Sequence, residues 1–137
     1  MTVLSEPCPK CGRSVLEEGS SHAIEVALDR DGLAQAALFL EELETGKPWQ
    51  KDLVAGMAIR LETFAATGEL LVPRQLNHLR DELWEFKCGK LRLPFYHRRG
   101  AACGQVRITH GFIKRGDRTP VREIDRGLAI MREDLSR

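Results

Sequence analysis

The sequence predicts an α+β domain of order β-α-α-β-β-β-α: a mostly antiparallel sheet of about four strands, an N-terminal helical hairpin and a C-terminal helix. Three observations carry this. Residues 33–64 place apolar side chains at helical spacing in two runs, and residues 76–114 alternate apolar and polar side chains through three runs parted by glycine turns. From Val121 an amphipathic stripe returns to the helical period. A chain of 137 residues suits one domain with a substantial core.

Residues 1–21, with Pro7, Pro9, Gly12 and the Glu-Glu-Gly-Ser-Ser run ending at Ser21, read as an appendage; residues 22–137 form the domain. His22 to Leu28 sets Ala23, Glu25 and Ala27 against Ile24, Val26 and Leu28, a half-buried strand. Asp29 to Gly32 is turn chemistry. Leu33, Ala36, Ala37, Leu40 and Leu43 define a first helix, closed by Gly46 and Pro48. Leu53, Val54, Met57, Leu61 and Phe64 define a second, ended near Gly68, and so short a connection predicts a helical hairpin. A loop through Pro73 leads to a strand over 76–88 with a kink near Asp81. Gly89-Lys90 turns the chain into 91–98, and a looser turn over 99–104 leads to 105–114. Pro94 interrupts its strand and requires an edge position or a bulge. Thr119 as cap and Pro120 at the first helical position start the last helix, whose stripe is Val121, Ile124, Leu128, Met131 and Leu135.

The net charge of +1 hides a segregation. Residues 1–73 hold 6 Lys/Arg against 12 Asp/Glu, and residues 74–137 hold 15 against 8, so the front is acidic and the back basic. That pattern points to a localised anion-binding surface. The N-terminus lacks the basic flank and apolar run of a secretory signal, and no stretch approaches the ~20 apolar residues of a membrane helix. A cytoplasmic protein with four reduced cysteines is expected.

Side chains alternate across a strand, so face membership follows by counting in twos. Trp84, Phe86 and Cys88 oppose Glu85 and Lys87; Leu91, Leu93 and Phe95 oppose Arg92, Tyr96 and Arg98; Val106, Ile108, His110 and Phe112 oppose Arg107 and Thr109. His110 thus reads as a core histidine. Side by side, the polar faces gather Glu85, Lys87, Arg92, Tyr96, Arg98 and Arg107, with Lys114, Arg115 and Arg118 at the exit. One greasy side for a core and one cationic side for a polyanion make RNA the leading ligand. This requires the cations of three strands to converge on a single exposed patch.

Leu-Trp-Glu-Phe-Lys at 83–87, the next strand with Arg92 and Tyr96, and His-Gly-Phe-Ile-Lys-Arg-x-x-Arg-Thr-Pro at 110–120 before Glu123-Ile124 resemble the phage-derived HigB-like toxins. These belong to the RelE/ParE superfamily of type II toxin–antitoxin systems. The resemblance covers roughly residues 22–135, and its last motif is the specific part. It implies a RelE-like, mostly antiparallel sheet flanked by helices. It also implies an mRNA interferase, an endoribonuclease that cuts mRNA on the ribosome and inhibits translation, and a cognate antitoxin protein that blocks the site. The positions near Arg92 and at Lys114-Arg115 transfer best. Asp117 in the exit loop is an acidic residue where RNA would prefer none.

RNA can be cut without a metal when its own 2′-hydroxyl attacks the adjacent phosphate, so no cofactor is required for catalysis. The protein must stabilise a dianionic phosphorane and move two protons. Clustered cations do the first, Arg especially because its planar fork matches phosphate oxygens. A Lys with depressed pKa, or a Tyr or His, can do the second. These roles fall to Lys87 as base or electrostatic partner and to Arg92 and Arg115 as phosphate clamps. Lys114 and Arg118 would hold the backbone, with Arg98 and Arg107 alongside, and Tyr96 would stack on a base.

Cys8-Pro-Lys-Cys11-Gly is half of a zinc knuckle, and a closed site needs four ligands. Cys88 and Cys103 lack a second paired spacing, and His22 would make only three. Zinc at this pair, a site shared in a dimer, and a coincidental pair all remain open. Three functions compete: the ribosome-dependent endoribonuclease, a ParE-type gyrase inhibitor needing no nuclease residues, and a non-catalytic toxin-derived interaction or metal-binding module.

Overall fold

The computed structural model describes residues 7–137; the first six residues of the expected appendage lie outside them. The strands are β1 Val15–Glu18, β2 Ala23–Val26, β3 Leu76–Arg80, β4 Leu83–Cys88, β5 Leu91–His97, β6 Val106–Ile108 and β7 Phe112–Ile113, and the helices are α1 Gln35–Glu44, α2 Pro48–Thr67 and α3 Val121–Leu135. The strands form one sheet in the order β1-β2-β6-β5-β4-β3, with β7 paired to β5. β2 and β6 run parallel and every other pair is antiparallel.

This corrects the expected RelE-like sheet of about four antiparallel strands behind an N-terminal helical hairpin. The sheet has seven strands and is mixed, and two strands precede the helices. Each difference has a local cause. Leu16 is buried and draws the end of the expected appendage into the sheet as β1. Asp81, with φ of 51°, turns the expected single strand over 76–88 into β3 and β4. The parallel pair follows from the α1–α2 crossover, which returns the chain to the sheet by way of β3 to β5. Pro48 starts α2 instead of closing α1, in keeping with its preset φ.

Pro94 lies in β5, inside the sheet, and its flaw is absorbed on one side. Phe95 pairs with Ile108 of β6 while Arg92 pairs with Phe112 of β7, so the partner carries one extra residue between them. That bulge is what a strand proline demands. Thr109 closes it by donating its N–H to the Pro94 carbonyl at 2.8 Å.

The apolar face behaves as counted. Phe86, Leu91, Leu93, Phe95, Val106 and Ile108 pack with Ile24 and Val26 against Leu40, Val54, Met57, Leu61 and Phe64 of α1 and α2. Around Tyr96 and Arg107 the polar face does not face solvent. The apolar stripe of α3 needs a partner, and Ile124, Leu128, Ile130 and Met131 find it in Ala27, Leu83 and Tyr96 on that face. Helices thus pack on both sides of the sheet.

His110 is wholly buried, stacks on Phe112 and shares Nδ1 with the Thr109 hydroxyl at 2.9 Å. Nε2 has no hydrogen-bond partner among the described residues, although a Glu123 carboxylate oxygen lies 3.4 Å away. Burial, with Arg126 nearby, pulls its pKa down to about 3, so the folded protein holds a neutral ring. The unfolded chain takes up that proton below its ordinary pKa of about 6.5, so stability is complete above that pH and falls as pH drops toward 3. Urea midpoints measured at pH 7.5, 6 and 5 should decline in the wild type and decline less in His110→Gln.

Candidate functional site

The predicted cationic face divides into two parts. Tyr96 and Arg107 sit beneath α3, in a network centred on Asp134. The Asp134 carboxylate accepts hydrogen bonds from Arg107 at 2.8 Å, from Arg13 at 3.0 and 3.1 Å, from the Leu28 N–H at 2.9 Å and from the Tyr96 hydroxyl. Burial alone would raise the Asp134 pKa, but Leu28, Tyr96 and Arg107 hold it below the ordinary carboxylate range. Burial and the same carboxylate push the Tyr96 phenol up. Burial opposes the charge on Arg107, and Asp134 restores it so that its pKa rises. Arg107 also donates from Nε to Glu25 at 3.2 Å. The cross-strand pairs Glu25–Arg107 and Tyr96–Arg107 set this row of side chains. Neither Tyr96 nor Arg107 can reach RNA. Arg98 is also committed, donating to the Cys103 and Gly104 carbonyls at 3.0 and 3.3 Å across its turn. The single patch from three strands therefore does not form.

The other part survives at one corner. The Lys114 N–H donates to the Lys90 carbonyl at 2.8 Å, tying the exit of β7 to the β4–β5 turn. Between them lies a cleft of about 390 Å³ lined by Lys90, Arg92, Lys114, Arg115, Gly116 and Asp117. Arg92 forms its floor at 7% exposure. One terminal nitrogen donates to the Gly89 and Leu91 carbonyls at 2.6 and 3.0 Å, while Nε has no partner among the described residues. Burial lowers the Arg92 pKa, which Glu85 and then Cys88 oppose.

Lys87 stands opposite Arg92 in the register and its Nζ donates to the Pro73 carbonyl at 2.8 Å. Burial, then Arg92, lower its pKa against the pull of Glu85, and Lys114 lowers it further. Glu85 is buried and already accepts from Asn77 at 3.3 Å and from Thr119 at 3.1 Å. That use of Thr119 leaves Pro120, with no side-chain bond, as the N-cap of α3. Among the described residues, Lys87, Lys90, Arg92, Lys114 and Arg115 form no salt bridge. Arg118 is exposed on the same loop but outside the cleft lining. The corner thus keeps Lys87, Arg92, Lys114 and Arg115 and adds Lys90, which counting faces could not assign because it occupies the turn.

A second cluster joins the N-terminal knuckle to β2 and to the turn between β5 and β6. Ligand atoms of Cys8, Cys11, Glu25 and Cys103 all lie within 4.8 Å of one another and could bind a metal. Gly12, with φ of 77°, completes the knuckle, and its N–H donates to the Cys8 carbonyl at 2.8 Å. The Cys11 thiol donates to both Glu25 carboxylate oxygens at 3.2 and 3.4 Å. The Lys10 backbone N–H lowers the Cys8 pKa, whereas burial first, with Glu25 behind it, pushes Cys11 up to about 12. Cys103 and Glu25 were missed in the sequence for want of paired spacing. Glu25 did leave a trace, as a lone acid between Ile24 and Val26 in a buried strand. Cys88 lies elsewhere, against the core.

No protein-family model matches the chain, and no curated protein matches it. No helix among the described residues is long and apolar enough to cross a membrane.

Proposed function

We propose that this protein is a toxin-type endoribonuclease that cuts ribosome-bound mRNA, with its active centre contracted to the corner cleft of Lys90, Arg92, Lys114 and Arg115 and to Lys87, which stands opposite Arg92 beside it. The observation that carries the reading is the Arg92 guanidinium, in the floor of a cleft where Lys90, Lys114 and Arg115 stand against a single acid, Asp117. Like charges gathered with no salt-bridge partner cost free energy unless an anion enters, and a phosphodiester supplies the matching charge. In the reaction the RNA 2′-oxygen bonds to the adjacent phosphorus and the P–O5′ bond breaks. Lys87, whose pKa burial and then Arg92 lower, takes the 2′ proton or stabilises the charge that develops, and the departing 5′-oxygen takes a proton from water. Arg92 and Arg115 hold the non-bridging oxygens, and Lys90 and Lys114 hold the neighbouring phosphates.

The cytoplasm is the proposed location. The proposed partners are the ribosome, mRNA and a cognate antitoxin whose acidic surface would fill the same cleft. Zinc at Cys8 and Cys11 is proposed as an accessory ion with no part in cleavage. The burial of Tyr96 and Arg107 favours a second reading, a non-catalytic metal-binding module. Primer extension on ribosome-bound mRNA separates the two. Cleavage by wild type that is lost in Arg92→Lys and Arg115→Ala supports the nuclease. Intact mRNA at all wild-type concentrations rejects it.

A further inference from the structure

Three separate segments bring their donors to the metal cluster: the knuckle at residues 8–11, the centre of β2, and the turn between β5 and β6. We infer that Cys8, Cys11, Cys103 and Glu25 form a closed, structural zinc site in a single chain, and that its carboxylate ligand links the ion to the packing of α3. The inference rests on zinc being held at the knuckle, and extends that reading to the complete ligand set.

The donor set decides the metal. Thiolates select zinc over magnesium or calcium, and one carboxylate oxygen is an accepted fourth ligand. A tetrahedral zinc with bonds of about 2.3 Å to sulfur separates its ligand atoms by roughly 3.8 Å. Mutual separations within 4.8 Å need only small rotamer adjustments to close that polyhedron. All four positions come from the protein, so no site stays open for water or substrate. A structural ion is the outcome.

Glu25 is fixed for this task. Its side chain is fully buried and Arg107 donates to Oε1, the oxygen nearer Cys11. The ion pair with Arg107 uses one side of this buried carboxylate, and its other side faces the cysteines. Gly104 makes the approach possible. Its φ is 54°, and a Cβ there would stand 2.1 Å from Glu25 Oε1, so no other residue leaves room for the carboxylate beside Cys103. Three thiolates and one carboxylate overcompensate a divalent ion, and the Arg107 guanidinium offsets part of the excess.

Arg107 also joins this centre to Asp134, and Arg13, two residues beyond Cys11, grips the same carboxylate. Asp134 lies in the last turn of α3. Losing the ion would leave three thiols and a carboxylate without their common partner. It would free the knuckle that carries Arg13 and loosen the end of α3. A disulfide between two of the cysteines would use neither the third nor Glu25.

The test uses the full chain purified under reducing conditions. Wild type and Cys88→Ser, whose cysteine packs elsewhere, should each hold one zinc per chain. Competition with a chromophoric chelator should show zinc affinity at least 10-fold weaker in Cys103→Ser and in Glu25→Gln. Replacing zinc by cobalt should give a tetrahedral spectrum whose thiolate charge-transfer intensity drops by about one third in Cys103→Ser, a readout that requires no comparison of stabilities. In wild type, removing zinc should speed amide exchange over 121–135. Substoichiometric zinc after zinc titration, a native disulfide, or unaltered affinity in Cys103→Ser or Glu25→Gln overturns the site. Unaltered exchange in α3 overturns the link. If Cys8→Ser alone releases zinc, the knuckle holds an ion but this ligand set is wrong. Cleavage by the corner cleft is decided separately, by Arg92.

Discussion

Replacing Asp134 by Ala is expected to remove about 3–5 kcal/mol of folding stability, the cost of breaking a buried ion pair by deleting one partner. The side chain is fully buried and neutralises both Arg107 and Arg13, while Tyr96 and the Leu28 N–H spend their donors on it. Its loss leaves Arg107 with Glu25 alone, takes the counter-charge from Arg13, strands a phenol and a backbone N–H, and releases the end of α3. Small domains carry about 5–15 kcal/mol in all, so the variant should sit near the edge of folding at 25 °C. Asp125→Ala is the control: its pair with Arg80 at 3.2 Å is solvent-exposed and should be worth under about 1 kcal/mol. Chemical denaturation of the two variants against wild type checks both. Because the folded pKa of Asp134 is depressed, its stabilisation is present above the ordinary carboxylate range and is lost as pH falls through and below it. The wild-type acid transition should therefore weaken in Asp134→Asn.

Arg92→Ala is expected to slow mRNA cleavage by about 10²–10³-fold, the usual consequence of removing one preorganised donor to a developing oxyanion. Arg92→Lys should recover little of this, because an ammonium restores charge without the planar fork that spans two oxygens. Arg107→Met separates the two parts of the old cationic face. Its guanidinium meets Glu25, Asp134 and Tyr96, away from the corner cleft, so at a temperature where the variant remains folded its cleavage rate should match wild type. Single-turnover cleavage of ribosome-bound mRNA measures all three. A slow Arg107→Met with a fast Arg92→Ala would place the chemistry under α3 and refute the corner cleft.

Local patterns were legible wherever one face of an element decides its fate. The period of two from Trp84 to Ile108 assigned the α1–α2 side of the sheet because Phe86, Leu93 and Phe95 have no polar alternative. The Pro94 bulge was readable because a missing N–H must be accommodated somewhere. The other face was misread for a reason that the α3 stripe already contained. Ile124, Leu128 and Met131 had to cover something, and the polar face, with Leu83, Ala27 and the body of Tyr96, was the surface left. Arg107 looked free because its neutralising partners, Glu25 and Asp134, lie 82 and 27 residues away. Asp134 itself sits three residues past Met131, at the border of the stripe, where an acid signals a buried partner. The metal cluster was half visible. Adjacent cysteines advertise a knuckle, whereas ligands from β2 and a distant turn are joined only by the sheet.

The central claim is that the usable cationic surface is the corner and not the sheet face. Amide and guanidinium chemical shifts of labelled protein, titrated with a short single-stranded RNA at low salt, test it most directly. Shifts confined to residues 87–92 and 114–118 and abolished by high salt are the predicted result. Shifts at Tyr96 and Arg107 with α3 released, or none anywhere as RNA reaches millimolar concentration, would contradict it.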